Sequence, residues 1–199
     1  MTDAMPRFTD ANALAAQLRD GQVAAIPTDT LPGLACRPEQ ADKIWSLKRR
    51  PADKPLILMA ATAAELLAEA QSVCRQDAQQ LAINHWPGAI TLVLPALASG
   101  MLRYLNPGGS TVGLRIPHCA MTLELLAASG PLATSSANLS GEPSTQSAEE
   151  VARIFPTIPL LGPSPWPRPS GLASTVLKWH GPGQWRILRA GAVIPPGVG

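Results

Sequence analysis

Short apolar runs recur along this chain at intervals that helices fill, and that rhythm restricts it to a layered α/β fold. Residues 23–26 (Val-Ala-Ala-Ile) stop at Pro27, and residues 55–60, 90–94, 111–116 and 132–134 are similarly brief. Between them, helical periodicity predicts helices over residues 10–20 (closed by Gly21), 40–49, 62–70, 75–85, 120–128 and 147–154. The second of these turns Ile44, Trp45 and Leu47 inward and must end before Pro51, because a residue preceding proline resists helical geometry. Thr62 with Glu65, and Ser147 with Glu150, match the reciprocal capping pattern at helix starts. Residues 175–179 and 185–188 flank His180-Gly181-Pro182-Gly183, a hairpin turn by composition. A hairpin requires antiparallel neighbours, so the expected fold is α/β with a twisted mixed sheet flanked by helices.

Residues 156–169 carry six prolines and read as a stiff loop around a short strand or none. About thirty residues follow, too few for an unstapled domain, so residues 1–199 are expected to form a single domain. Sixteen basic and fourteen acidic residues leave a charge of +2, too balanced for a general nucleic-acid binder. Three cysteines without a C-x-x-C indicate neither a disulfide framework nor a zinc site, so a reduced cytoplasmic setting is the default. No apolar stretch resembles a signal peptide core or reaches membrane-spanning length, and a soluble protein is expected.

Chemistry concentrates in a few places. Lys48-Arg49-Arg50-Pro51-Ala52-Asp53-Lys54-Pro55 places cations at the mouth of an apolar strand, a pattern suited to a polyanion such as a nucleoside triphosphate. The competing reading is a solvated helix end, since cations in a last turn complement the helix dipole. Pro27-Thr28-Asp29-Thr30-Leu31-Pro32-Gly33-Leu34 follows a strand, where α/β proteins place ligand loops, although its composition also suits a plain turn. Arg115 shares strand parity with Thr111 and Gly113, opposite Val112, Leu114 and Ile116; its face is either solvated or the floor of a polar cleft. Neither G-x-x-x-x-G-K-[ST] nor G-x-G-x-x-G occurs, so a nucleotide would be held by cations, hydroxyls and backbone N–H groups near residues 108–111 and 136–138. The three histidines lie in unrelated contexts, no nucleophile elbow is present, and neither a metal cage nor a close acidic pair is apparent.

Six segments in order, Pro27-Thr28-Asp29-Thr30, Lys48-x-Arg50-Pro51 with Pro55-Leu56-Ile57, residues 112–117, Ser135-Ser136-Ala137-Asn138-Leu139-Ser140-Gly141, Ser174-Thr175-Val176 and Leu188-Arg189-x-Gly191, resemble the YrdC-like threonylcarbamoyl-adenylate synthase family. The likeness spans about residues 10–195. It implies a YrdC-like fold with a deep basic cavity, and an enzyme joining L-threonine, bicarbonate and ATP into threonylcarbamoyl-adenylate and pyrophosphate. Mg²⁺ would accompany ATP, held by phosphates and water. A separate transferase complex would use the product to make N6-threonylcarbamoyladenosine in tRNAs reading codons that begin with A. Direct tRNA binding by this chain is expected to be weak.

By the same resemblance, Lys48 and Arg50 would bind the triphosphate and stabilise charge at the α-phosphorus, both from a cavity rim. Lys54, Thr111, Ser136, Asn138, Ser144 and Arg189 would complete the ATP side; Thr28 or Thr30, Arg115, Thr134 and Ser174 would form the threonine side. The chain departs from the family where Asp29 replaces the usual Glu, Leu31-Pro32 precedes Gly33, and Met59 stands where His is frequent. The alternatives are a carbamoyl-adenylate-forming domain of the hydrogenase-maturation type and a non-catalytic RNA-binding module. The 4% aromatic content offers the latter few stacking platforms.

Overall fold

The computed structural model describes residues 7–51, 53–98 and 100–198; Ala52 of the basic run and residues 1–6 of the N-terminal segment lie outside them. In chain order the elements are β1 (Phe8–Thr9), α1 (Ala11–Arg19), β2 (Ala24–Ile26), β3 (Gly33–Cys36), α2 (Ala41–Lys48), β4 (Ile57–Met59), α3 (Ala63–Leu67), α4 (Ser72–His85) and β5 (Ile90–Pro95). They continue with α5 (Leu102–Leu105), β6 (Thr111–Arg115), α6 (Ala120–Ser129), β7 (Leu132–Ser136), α7 (Ala148–Ile154), β8 (Leu160–Leu161), β9 (Thr175–Gly181) and β10 (Gln184–Arg189). The strands form one mixed sheet in the order β1-β8-β2-β3-β7-β4-β6-β5-β9-β10. β4 pairs parallel with β6 and antiparallel with β7, while β5 pairs antiparallel with β6 and parallel with β9.

Strand parity divides the sheet into two unlike faces. Leu34, Leu58, Leu92, Leu114 and Leu177 point to one side, where Ile44 and Trp45 of α2, Leu66 of α3, Ala78 of α4, Leu105 of α5 and Val151 of α7 complete a continuous core. Ala24, Ile26, Ala35, Met59 and Leu132 point the other way, and α1 and α6 cover them through Leu14, Leu18, Leu125 and Leu126. That second cover extends over only one end of the sheet. The alternate residues of β4, β5, β6, β7 and β9 beyond it mix polar side chains such as Thr91, Arg115, Thr134 and Lys178 with apolar ones such as Ile57 and Val93, and they border open space.

The alternation expected from sequence is present, with instructive differences. β3 lies where a loop was expected to run through Leu34; it is buried at all four positions, so it lacks the apolar–polar alternation that marks a half-exposed strand. Thr62 and Glu65 form the reciprocal cap, but α3 ends at Leu67 and α4 begins at Ser72. At α7 the cap is only half formed: Ser147 accepts from Glu150 N, whereas Glu150 Oε2 accepts from Gln146 N (2.7 Å), one residue too early. The proline-rich stretch contains β8, which two parallel partners hold despite its two-residue length. The β9–β10 hairpin is tied to α4 by Asp77, whose carboxylate accepts from Trp179 Nε1 (2.7 Å) and Gly183 N (2.8 Å).

Candidate active site

The local backbone of the basic run decides where each cation goes. α2 ends in paired bonds from Arg50 N to Trp45 O (2.9 Å) and from Arg49 N to Ser46 O (3.1 Å), with Arg49 in the left-handed region (φ 49°). This helix-ending motif ordinarily places glycine at the left-handed position. The reversal sends Lys48 inward and brings Arg50 to the open face. Lys48 is 1% exposed; its ammonium donates to Ser136 O, to Asn138 O (2.5 Å) and to Asn138 Oδ1 (3.3 Å). The rim position expected for both cations is therefore Arg50's alone, because consecutive turns of the chain at Arg49 point the two side chains apart.

Two chambers open on the uncovered face. The first, about 180 Å³, is lined by Thr28, Thr30, Arg50, Arg115, Thr134, Ser136, Ser144, Ser174 and Arg189, with Ile26, Ile57 and Met59 as its apolar floor. The second, about 300 Å³, is lined by Thr91, Thr111, Val93, Val176, Lys178 and Leu188, and shares Arg50, Pro55, Ile57 and Arg189 with the first. The structure thus brings together ten of the thirteen residues singled out from sequence. Asn138 lies behind the wall, its amide donating to Leu139 O (2.9 Å) and Glu142 O (2.7 Å) while its carbonyl accepts from Ser136 Oγ (2.6 Å). Lys48 lies beside it, and Lys54 is exposed and contributes its carbonyl to Trp45 Nε1 (3.0 Å). Arg115 is 3% exposed and lines the first chamber, so its strand face borders a cleft with polar walls and is not a solvated outer surface.

Lys178, Thr91 and Ser135 also line the chambers and were not anticipated. The signal for Thr91 and Lys178 was strand parity: each alternates with core leucines, Leu92 and Leu177, and so faces the same open side as Arg115.

The electrostatics are lopsided. Among the described residues neither Arg50 nor Arg189 pairs with a carboxylate, and no carboxylate lines either chamber. Arg50 is braced by Lys54 O (3.4 Å) and Pro55 O (3.1 Å), and Arg189 by Ser174 O (2.9 Å) and Ser174 Oγ (3.2 Å). Partial burial lowers the pKa of both, a measure of the charge stabilisation that an anion would restore. Burial and then the charge of Arg50 push the Lys48 ammonium down to about 8. Hydroxyls complete the lining: Thr28 and Thr30 share a bond (3.0 Å), Ser174 meets Thr91 (2.8 Å), and Thr134 donates to Ile57 O (2.9 Å). Cations and hydroxyls can hold and orient anionic groups; with no histidine, thiol or carboxylate among the described residues that line it, the site offers positioning and charge stabilisation.

Comparison with known proteins agrees. A family model covering Sua5, YciO and YrdC, described as "Telomere recombination", matches residues 16–191. The threonylcarbamoyl-AMP synthase of Bacillus subtilis is 39% identical over 151 residues, 74% of this chain and 42% of that one. The Escherichia coli protein of the same name is 36% identical over 151 residues, 71% of this chain and 79% of its own length. The crystal structure of P. abyssi Sua5 complexed with L-threonine superposes with a TM-score of 0.83 at 34% identity, covering 91% of this chain and 54% of that one. The chain therefore spans less than half of the Bacillus relative and about half of the archaeal structure. With the match extending over most of its length, this chain belongs to the Sua5/YciO/YrdC family.

Proposed function

We propose that this chain is an L-threonylcarbamoyladenylate synthase, converting L-threonine, bicarbonate and ATP into threonylcarbamoyl-AMP and pyrophosphate. The observation that carries the reading is the pairing of two chambers through Arg50 and Arg189, cations that line both chambers and that have no carboxylate partner among the described residues. Threonine occupies the first chamber, its carboxylate at Arg115 and its hydroxyl and amine among Thr28, Thr30, Thr134 and Ser174. The triphosphate crosses the shared wall, with Ser136, Ser144 and Thr111 as further contacts. Lys48 adds positive charge from behind Ser136 and fixes the Ser-Ala-Asn turn with Asn138, while exposed Lys54 meets the outer part of the nucleotide.

The reaction suits such a site. Threonine's amine, having lost its ammonium proton to water, adds to carbon dioxide formed by protonation and dehydration of bicarbonate, and the adduct gives its second N–H proton to water; a carbamate oxygen then attacks the α-phosphorus, and pyrophosphate departs. Charge moves from carbamate to leaving group, so arginines already aimed at the phosphates stabilise the transition state without proton transfer by the protein. Mg²⁺ enters as part of the MgATP substrate; a lining of hydroxyls and cations leaves its ligation to phosphates and water.

On this reading residues 1–199 act as one domain, the product passes to a separate tRNA-modifying transferase complex, and the protein works in the cytoplasm. No helix among the described residues is long and apolar enough to cross a membrane. The test is mass detection of the adenylate after incubation with ATP, bicarbonate and labelled threonine. Pyrophosphate release must require both threonine and bicarbonate; equal release without threonine, or with carbamoyl phosphate replacing both, would assign a carbamoyl-adenylate chemistry instead.

A further inference from the structure

Arg115 sits at the end of β6 with its guanidinium held on three sides. Nε donates to Gly88 O (3.0 Å), one terminal nitrogen donates to Thr30 Oγ1 (2.7 Å), and the other to Asp29 Oδ1 (2.6 Å). A guanidinium has five N–H donors. Two therefore remain, one on each terminal nitrogen, which is the number a carboxylate takes through two parallel bonds. Arg115 lines the first chamber and Asp29 does not.

Asp29 is itself fixed from several directions. Its Oδ1 also accepts from His118 N (3.0 Å), just beyond the end of β6, and its backbone carbonyl accepts from Ser170 N (3.0 Å) in the segment leading to Ser174. Next to it, Thr28 Oγ1 accepts from Thr30 N (3.1 Å) and Leu31 N (3.2 Å) and donates to Leu31 O (2.7 Å), which locks the turn that presents the carboxylate. Burial and the nearby charge of Arg189 both work against the Arg115 cation, and Asp29 is the group that offsets them.

We propose that Asp29 is a positioning residue for substrate recognition: from behind the cavity wall it sets the plane of Arg115, so that the two uncommitted N–H groups face the threonine carboxylate as a pair. The inference rests on the reading of the first chamber as the threonine site. Asp29 touches no substrate in this scheme. Its effect reaches threonine through Arg115 and leaves the nucleotide side, which relies on Arg50 and Arg189, unaltered.

The test compares wild type, Asp29→Asn and Asp29→Glu in threonine-dependent pyrophosphate release, with melting temperatures recorded alongside. Asp29→Asn should raise the KM for threonine by ~10-fold or more while the KM for ATP and the kcat at saturating threonine stay within about threefold. Asp29→Glu, which retains the carboxylate, should restore the threonine KM. If Asp29→Asn fails to fold, Asp29→Gln is compared with Asp29→Glu in the same assay, and the same separation is expected. A variant that lowers melting but leaves the threonine KM unchanged, or raises both KM values together, would reduce Asp29 to a fold brace and overturn the proposal. The wild-type arm distinguishes the underlying reading: pyrophosphate release that ignores threonine even there removes the threonine site, and the role of Asp29 with it.

Discussion

The two faces of the central sheet are made by the same strands, yet one is a sealed core and the other opens into two cation-lined chambers. On the covered face Leu58, Leu92, Leu114 and Leu177 are wholly buried under five helices. On the open face their sequence neighbours Ile57, Thr91, Arg115 and Lys178 line the cavities. A pleat puts successive side chains on opposite sides, so one strand can serve stability and chemistry at adjacent positions. Substitutions one residue apart should therefore separate cleanly into loss of fold and loss of function.

The largest effect expected is on the covered face. Leu114→Ala removes a fully buried side chain and should cost about 2–5 kcal/mol of unfolding free energy, read by denaturant titration. Its neighbour Arg115, by contrast, should affect threonine recognition more than ATP recognition when replaced by Ala. A Leu114→Ala variant as stable as wild type would break the division between the faces.

Next is Arg50→Ala. Loss of one preorganised charge-stabilising donor lowers turnover by ~100-fold or more, about 2.7 kcal/mol in the barrier. Arg50 is only partly buried and its own bonds run to two loop carbonyls, so melting should change little. Turnover within about threefold of wild type would return the basic run to a solvated helix end.

The sequence made much of this contrast legible, for reasons visible in particular residues. Short apolar runs, stopped by Pro27 after β2, marked β2, β4, β5 and β6, and parity placed Arg115, Thr111 and Gly113 on one face. What stayed hidden depended on three-dimensional company. Gly33–Cys36 is covered on both sides and so carries no alternation. Lys48 and Arg50 look equivalent in sequence, and only the left-handed turn at Arg49 separates them. Lys178 faces the open side only because β9 pairs with β5, a neighbour that strand patterning in the sequence does not identify.

Lys48 lies inside the wall that separates the core from the chambers, buried against Ser136 and Asn138. Lys48→Met keeps the stem but leaves the carbonyls of Ser136 and Asn138 without their donor, and should cost about 1–3 kcal/mol. The pH dependence has a defined sign. Burial holds the folded ammonium near 8, below the ordinary 10.5, so the folded chain binds this proton less tightly than the unfolded one. The resulting penalty is fully present below pH 8 and is relieved as pH rises through the window from 8 to 10.5, by up to about 3 kcal/mol. Stability of the wild type relative to Lys48→Met should therefore grow across that window. A difference that shrinks would mean that the three acceptors around Nζ hold the proton more strongly than burial expels it.

The smallest effect concerns the residue that separates the two cations. Arg49 adopts φ 49°, a conformation that costs a side-chain-bearing residue about 1–2 kcal/mol, whereas glycine enters it freely. Arg49→Gly relieves that strain but gives the unfolded chain more freedom, which offsets part of the gain. The net expectation is a stabilisation of about 0.5–1 kcal/mol. Arg49 lines neither chamber, so turnover should match wild type in the same pyrophosphate assay. Improved melting with unchanged turnover would show that the turn at Arg49 directs Lys48 to the wall and Arg50 to the cavity by geometry alone. Loss of turnover in Arg49→Gly, with melting preserved, would instead place the Arg49 side chain in the phosphate site and erase the distinction among the three cations.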